Sequence, residues 1–209
     1  MAVNNRSPRV LTLAVTGASG SIYAIEMLRT LEADTRVQRV DFVVSPSAMR
    51  VLAEENSIQG RTTLVEKILG QPSEKIRLFA HKDIGAPMAS GSYPSDAMVV
   101  LPCSMGTLAG IAHGMASNLI ERSADVCLKE RRPLILCVRE TPLNLIHIRN
   151  MAAATEAGAV IYPCIPTFYD KPQDTDAMAR NFVHRVLQHI GLPQAGAYQW
   201  GVGQAPAAE

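Results

Sequence analysis

The chain has 209 residues, 47% of them hydrophobic, with 20 Lys and Arg against 19 Asp and Glu for a formal charge of +1. That length suits one domain with a sizeable core, the apolar fraction argues against disorder, and the charge balance offers no basic field for nucleic acid. Met1-Ala2-Val3-Asn4-Asn5-Arg6-Ser7-Pro8 has no apolar segment of the secretory kind, and apolar runs of about 5–8 residues fall short of the roughly 20 that span a membrane, so a soluble cytoplasmic protein is expected.

Short β-branched runs alternate with longer helical periods. Val10–Thr16 reads as a strand and Ser21–Glu32 as a helix. Val37–Ser45 reads as a strand, and Pro46–Glu55 as a helix opened by proline in its first turn. Thr62–Leu69 is a short helix, Ala97–Leu101 a buried strand, and a further helix starts near Met105. Asn118–Lys129 is helical, Leu134–Val138 a strand, Leu145–Ala157 a helix and Val160–Pro163 a strand. Asp174–Ile190 closes the pattern and is stopped by Gly191 and Pro193. Apolar strands alternating with helices predict an α/β fold: a Rossmann/flavodoxin-like open parallel sheet with helices on both faces. The expected organisation is a single domain over 9–201, with flexible ends at 1–8 and 202–209.

In such sheets ligands bind at the carboxyl ends of the strands. Those ends here carry Gly17-Ala18-Ser19-Gly20, Ser45-Pro46-Ser47, Cys103-Ser104-Met105-Gly106-Thr107, Arg139-Glu140-Thr141-Pro142 and Pro166-Thr167-Phe168-Tyr169. The first and third are strand-to-helix turns that suit an anion, because glycine lets backbone N–H groups approach it. A tight turn with a serine cap would look the same. There is no G-x-G-x-x-G. Ser45 stands where a dinucleotide fold has a carboxylate for the ribose, and Asp41 is mid-strand, so NAD is disfavoured and a mononucleotide fits better.

Arg122 and Lys129 share a helix face, Arg139 and Glu140 sit at a strand's carboxyl end, and Tyr169 and Arg185 lie near the last strand and in the last helix. Several cations around a tyrosine hydroxyl suit a phosphate monoester, although Arg122 or Arg185 alone would read as solvated. Glu55 reads equally as an acid/base or as a solvated helix-end carboxylate. His81, His113, His147, His184 and His189 make no metal spacing. Cys103, Cys127, Cys137 and Cys164 form no C-x-x-C and read as reduced core thiols, so no metal is expected.

Taken together, these stretches resemble the UbiX-type flavin prenyltransferases. The resemblance is carried by Thr16–Gly20, Met88–Ser92, Leu101–Leu108 and, most specifically, the run from Asn118 through Pro142; it extends from about residue 10 to 200. It implies that Gly17, Ala18, Ser19, Ser45, Ser104, Met105, Gly106, Thr107 and Arg139 hold FMN. Met105 departs from the threonine usual at that turn, which a backbone contact survives. Ser90, Lys129, Tyr169 and Arg185 would hold the phosphate of dimethylallyl monophosphate, with Arg122 arriving from a neighbouring subunit. Glu55 would handle the proton, with Ser19, Lys129 and Glu140 in the same site and Trp200 as an aromatic wall over the allyl group.

The implied reaction joins a dimethylallyl group to reduced FMN, which is substrate rather than recycled cofactor. Fixed cations meet the leaving phosphate's charge, and an aromatic face stabilises the allyl cation. The product serves a UbiD-type decarboxylase, in many bacteria for ubiquinone synthesis, and such enzymes form homo-oligomers, often dodecamers, and need no metal. Two rivals share the fold. A flavin-dependent cysteine decarboxylase carries a catalytic histidine before the strand at Ala97–Leu101, where Met88–Asp96 has none. An FMN electron carrier would not need the Lys129, Arg139 and Arg185 cluster.

Overall fold

Strands that are apolar on both sides need cover on both faces, and the computed structural model, which describes residues 10–199, supplies it. Trp200 and both terminal segments lie outside the described residues. Strands β1 (Val10–Val15), β2 (Arg39–Val44), β3 (Ile76–Phe79), β4 (Ala97–Cys103), β5 (Leu134–Val138) and β6 (Val160–Ile161) form one parallel sheet in the order β3-β2-β1-β4-β5-β6. This is the doubly wound Rossmann order, and its topological switch point lies between β1 and β4.

Among the described residues seven α-helices flank it: α1 (Ser21–Ala33), α2 (Pro46–Asn56), α3 (Leu64–Leu69), α4 (Met105–Ala112), α5 (Leu119–Lys129), α6 (Leu145–Ala157) and α7 (Thr175–His189). Side chains alternate across the pleat. Leu11, Leu13, Phe42, Val99 and Ile135 pack with residues of α1, α2, α3 and α7. Ala14, Val43, Met98, Val100 and Leu136 face the other way, into a second core with residues of α4, α5 and α6.

Nothing in the local sequence pattern marks β3. It is a four-residue edge strand whose second position is the exposed Arg77, so it shows neither a long apolar run nor strict alternation. β6 is shorter than expected, and β1 stops at Val15 because Thr16 turns its hydroxyl to the end of β4. Between β3 and β4 the chain returns without a long helix. A single 3-10 turn, Pro87–Ala89, packs on α5, and Ala86, Met88 and Ala89 enter the second core in its place.

Candidate active site

The switch point is stitched by one side chain. Thr16 Oγ1 donates to the carbonyl of Pro102 at 2.9 Å and accepts from the Ser104 N–H at 2.8 Å, which joins the turns after β1 and β4. The Arg139 N–H donates to the Cys103 carbonyl at 3.1 Å, bringing the end of β5 alongside. On the other side, the Ser45 N–H bonds to the Val15 carbonyl at 3.0 Å. Four of the five strand ends marked in the sequence therefore converge on one edge.

Each turn has its own chemistry. Ser45 caps α2, accepting from the Ala48 N–H at 3.1 Å, and its hydroxyl lies 3.0 Å from that of Ser47. Gly17 packs against Ser47 so closely that a Cβ there would collide with the serine side chain. Ser104 caps α4 and lies 3.2 Å from the Thr107 hydroxyl. At Gly106 a Cβ would meet nothing within 4 Å, so this backbone faces open space, while Met105 turns into the core. Two hydroxyl pairs, a glycine backbone facing space and Arg139 make a cradle that fits the phosphate and polar ring edge of a flavin mononucleotide.

The first turn of α1 is not free for that role, contrary to the simplest reading of the glycine-rich turn. The Glu55 carboxylate, reaching over from the end of α2, accepts from the Gly20 N–H at 3.1 Å and the Ser21 N–H at 2.9 Å. Ser21 Oγ adds a third donor at 2.6 Å and also receives Asn56 Nδ2. Gly20 adopts a left-handed φ of 107° and offers no side-chain cap, so Glu55 supplies the missing acceptor. Partial burial pushes the Glu55 carboxyl up, but hydrogen bonds from Ser19, Ser21 and Gly20 outweigh it and hold it below its ordinary value.

Beside Arg139 lies an aromatic group that belongs to no motif of the sequence. Tyr23 and Phe182 stack with centroids 4.7 Å apart, and Tyr162 meets Phe182 edge-on at 5.5 Å. Burial raises the Tyr23 hydroxyl, and Cys164 adds to this while Arg139 opposes it, so phenol, thiol and guanidinium share one neighbourhood. A cavity of about 170 Å³ opens here, lined by Tyr162, Ile165, Thr167, Phe182 and Arg185. Tyr169 is exposed on the loop beyond β6. Glu140 is exposed too, accepting from the Thr141 N–H at 3.0 Å.

Ser90, Arg122 and Lys129 gather elsewhere. They surround the turn before β4, on the flank of the sheet towards the amino ends of the strands. Arg122 Nε donates to the Ala89 carbonyl at 3.1 Å, and Nη1 pairs with Asp125 at 2.7 Å. Arg132 Nη2 donates to the Gly91 carbonyl at 2.6 Å. The Lys129 ammonium bonds Glu130, and both press on Gly91. Ser90 Oγ lies 3.0 Å from Ser92 Oγ. One chain thus presents the cradle and the Ser90–Lys129 group on different sides.

The remaining candidates are structural. His113 Nε2 lies 3.1 Å from Asn150 Oδ1, and His147 completes a capping box with Asn144. Cys103, Cys127 and Cys137 are buried free thiols, and Cys164 is half-buried; burial pushes Cys127 and Cys164 each up to about 12. Among the described residues no group of three or more His, Cys, Asp or Glu is placed to hold a metal ion, and no helix is long and apolar enough to cross a membrane.

A family model described as Flavoprotein matches residues 2–189. The flavin prenyltransferase UbiX of Pseudomonas aeruginosa is 42% identical over 200 residues, covering 93% of this chain and 95% of that protein. A crystal structure of AnUbiX (PadA1) in complex with FMN and dimethylallyl pyrophosphate superposes with a TM-score of 0.82 at 38% identity, covering 92% of this chain and 97% of the other. A dodecameric FMN-dependent UbiX-like decarboxylase from Escherichia coli O157:H7 gives a TM-score of 0.82 at 36% identity, with coverage of 91% and 98%. With identity of this order along almost its whole length, the chain belongs to the family of UbiX flavin prenyltransferases.

Proposed function

We propose that the chain joins the dimethylallyl group of dimethylallyl monophosphate to reduced FMN, giving a prenylated flavin for a UbiD-type decarboxylase. The observation that carries this reading is the match along 92% of the chain to a relative in complex with FMN and dimethylallyl pyrophosphate, on a fold whose strand ends bring hydroxyl pairs and glycine turns to one edge. Gly17, Ala18, Ser19, Ser45, Ser104, Met105, Gly106, Thr107 and Arg139 hold the flavin. Bound reduced flavin supplies the nucleophilic ring nitrogen. Ser90, Arg122, Lys129, Tyr169 and Arg185 hold the phosphate and neutralise it as it leaves. Glu55, ionised and aimed at the edge of the cradle, accepts the proton lost on ring closure; Ser19 and Glu140 line the same edge, and Trp200 shields the allyl group.

The separation of Ser90, Arg122 and Lys129 from the cradle supports assembly into a homo-oligomer, in which a second copy carries that group over the first copy's flavin. The apolar side chains Leu145, Ile146, Ile148 and Phe168, exposed on α6 and the loop after β6, give such an assembly a face to cover. A dodecamer in the cytoplasm is the expected form. The cysteine decarboxylase reading is disfavoured by Ser90 and the absence of histidine from Met88–Asp96, and the electron-carrier reading by a basic group that a carrier would not need.

Anaerobic incubation with reduced FMN and dimethylallyl monophosphate, followed by mass spectrometry of the extracted flavin, tests the proposal. A mass gain of one dimethylallyl group is expected. Unmodified FMN recovered from a flavin-loaded protein would overturn the transferase reading.

A further inference from the structure

Asp41 is a fully buried carboxylate in the middle of β2, on the face where its neighbours are Val43, Ala14 and Met98. A carboxylate in such a core is costly unless it is partnered. The Tyr93 hydroxyl donates to Asp41 Oδ2 at 2.6 Å. Arg39 Nε lies 3.3 Å from Oδ1, close enough for an ion pair but not aligned as a hydrogen bond, and its guanidinium rests over the Tyr93 ring at 4.9 Å. Arg77 stands opposite on β3. Burial pushes the Asp41 carboxyl up to about 6, with Arg39 and then Arg77 pulling back.

Tyr93 belongs to the segment that covers β1 and β2 on this face without a long helix. Irregular backbone has no ladder to fix it, so its position depends on side-chain ties. Three are present. Arg122 and Arg132 grip the Ala89 and Gly91 carbonyls from one side. Tyr93 grips Asp41 from the other, and the Tyr93 N–H closes a turn onto the Ser90 carbonyl at 3.2 Å. Next along the chain, Ser95 Oγ lies 3.2 Å from Thr12 Oγ1 on β1. Ser90 and Gly91, the latter packed against Lys129, therefore sit between a basic clamp from α5 and the residues just past it and an acidic anchor in the sheet.

We propose that the Asp41–Tyr93 hydrogen bond is a positioning device that sets Ser90 against Lys129 for binding the allylic phosphate. The pair acts through the turn and touches no substrate. This rests on the reading that Ser90 and Lys129 hold the phosphate, so the test separates the two.

Titration calorimetry of dimethylallyl monophosphate into protein loaded with oxidised FMN, which cannot turn over, gives the affinity directly. Tyr93→Phe, which removes the donor, is expected to weaken binding roughly tenfold, the value of one hydrogen bond to a buried charge, with FMN affinity unchanged. Asp41→Asn keeps an oxygen acceptor for Tyr93 and should bind almost as the unaltered protein does. Amide exchange over residues 88–93 should quicken in Tyr93→Phe and stay unchanged in β1 and β4. Tyr93→Phe binding like the unaltered protein, while Ser90→Ala and Lys129→Ala bind weakly, would overturn the positioning role alone. Equal loss of FMN and phosphate ester in Tyr93→Phe would overturn it as well, leaving a merely structural contact. Ser90→Ala and Lys129→Ala both binding normally would overturn the phosphate assignment beneath it.

Discussion

Glu55 and Ser21 are bonded twice, through the serine N–H at 2.9 Å and its hydroxyl at 2.6 Å, so the carboxylate proposed to take a proton is also the cap of α1. The two roles constrain each other. Hydrogen bonds hold Glu55 ionised, which keeps it ready to accept a proton but makes it a weaker base.

Glu55→Gln should therefore have two effects. The flavin product should carry the allyl group on nitrogen without closing the fourth ring, as absorbance and mass spectrometry of the extract would show. The Gln amide oxygen can still accept from Gly20 and Ser21, so the α1 cap loses only the carboxylate's charge and should weaken by less than about 1 kcal/mol. Ring closure at the normal rate would remove Glu55 from the chemistry while leaving the capping role intact. Because hydrogen bonds depress its folded pKa, the carboxylate stays ionised at the ordinary value of 4.5 and is protonated only at lower pH, so ring closure should decline only below that value.

Lys129→Ala should abolish prenyl transfer with FMN retained. Among the described residues, the exposed ammonium pairs with its sequence neighbour Glu130. An ion pair this exposed to solvent contributes little to stability, so melting should shift little. Normal turnover by this variant, measured by anaerobic product formation, would sink the phosphate-clamp assignment.

The architecture was legible because its signals are local. Val10–Val15, apolar but for Thr12, and Leu134–Val138, apolar throughout, are bounded by turn residues, and Gly20, Pro46 and Gly191 mark helix ends, so most elements and the functional edge of the sheet could be placed. What could not be placed depends on distance in the fold. Ile76–Phe79 is a strand only because β2 offers it an edge. Glu55 lies 34 residues from Ser21, and nothing local announces that it caps another helix. Tyr23, Tyr162 and Phe182 read as ordinary core aromatics until the fold stacks them beside Arg139. The resemblance named Ser90 and Lys129, but only the return path of the chain before β4 shows that they stand apart from the cradle.

Gly17→Ala tests whether the cradle depends on close approach of two turns. The added methyl would strike the Ser47 side chain, Oγ and Cβ both, and overpacking of this kind costs about 1–3 kcal/mol. FMN affinity, read by fluorescence quenching, should fall. Adding Ser47→Gly removes the obstruction and should restore much of it. Gly106→Ala meets no protein atom, so it should melt normally and yet weaken FMN by filling space meant for ligand. Normal flavin binding by Gly106→Ala would place the flavin elsewhere on this edge.

Asp34 and Asp41 should drive stability in opposite directions with pH. At the end of α1, Asp34 accepts from the Arg36 N–H at 3.0 Å, from Arg36 Nε at 2.8 Å and Nη2 at 2.6 Å, and from Gln194 Nε2 at 3.0 Å. The Arg36 hydrogen bond, against the opposing effect of burial, holds its carboxyl well below the ordinary 3.8. A depressed folded pKa means stability that is present above 3.8 and lost as pH falls below it, and with Arg36 partly exposed it amounts to about 1–2 kcal/mol. For Asp41, burial raises the folded value from 3.8 to about 6, so the folded state holds the proton more tightly than the unfolded chain. Stability then declines as pH climbs from about 4 to 6, by about 3 kcal/mol at most for a shift of two units. Urea unfolding of Asp34→Asn and Asp41→Asn against the unaltered protein isolates each effect. The deficit of Asp34→Asn should be full at pH 7 and shrink towards pH 3. Asp41→Asn should gain on the unaltered protein as pH rises from 4 to 7. A flat difference for Asp41→Asn over that range would mean that Tyr93, Arg39 and Arg77 hold the carboxylate ionised throughout, with no cost from its burial.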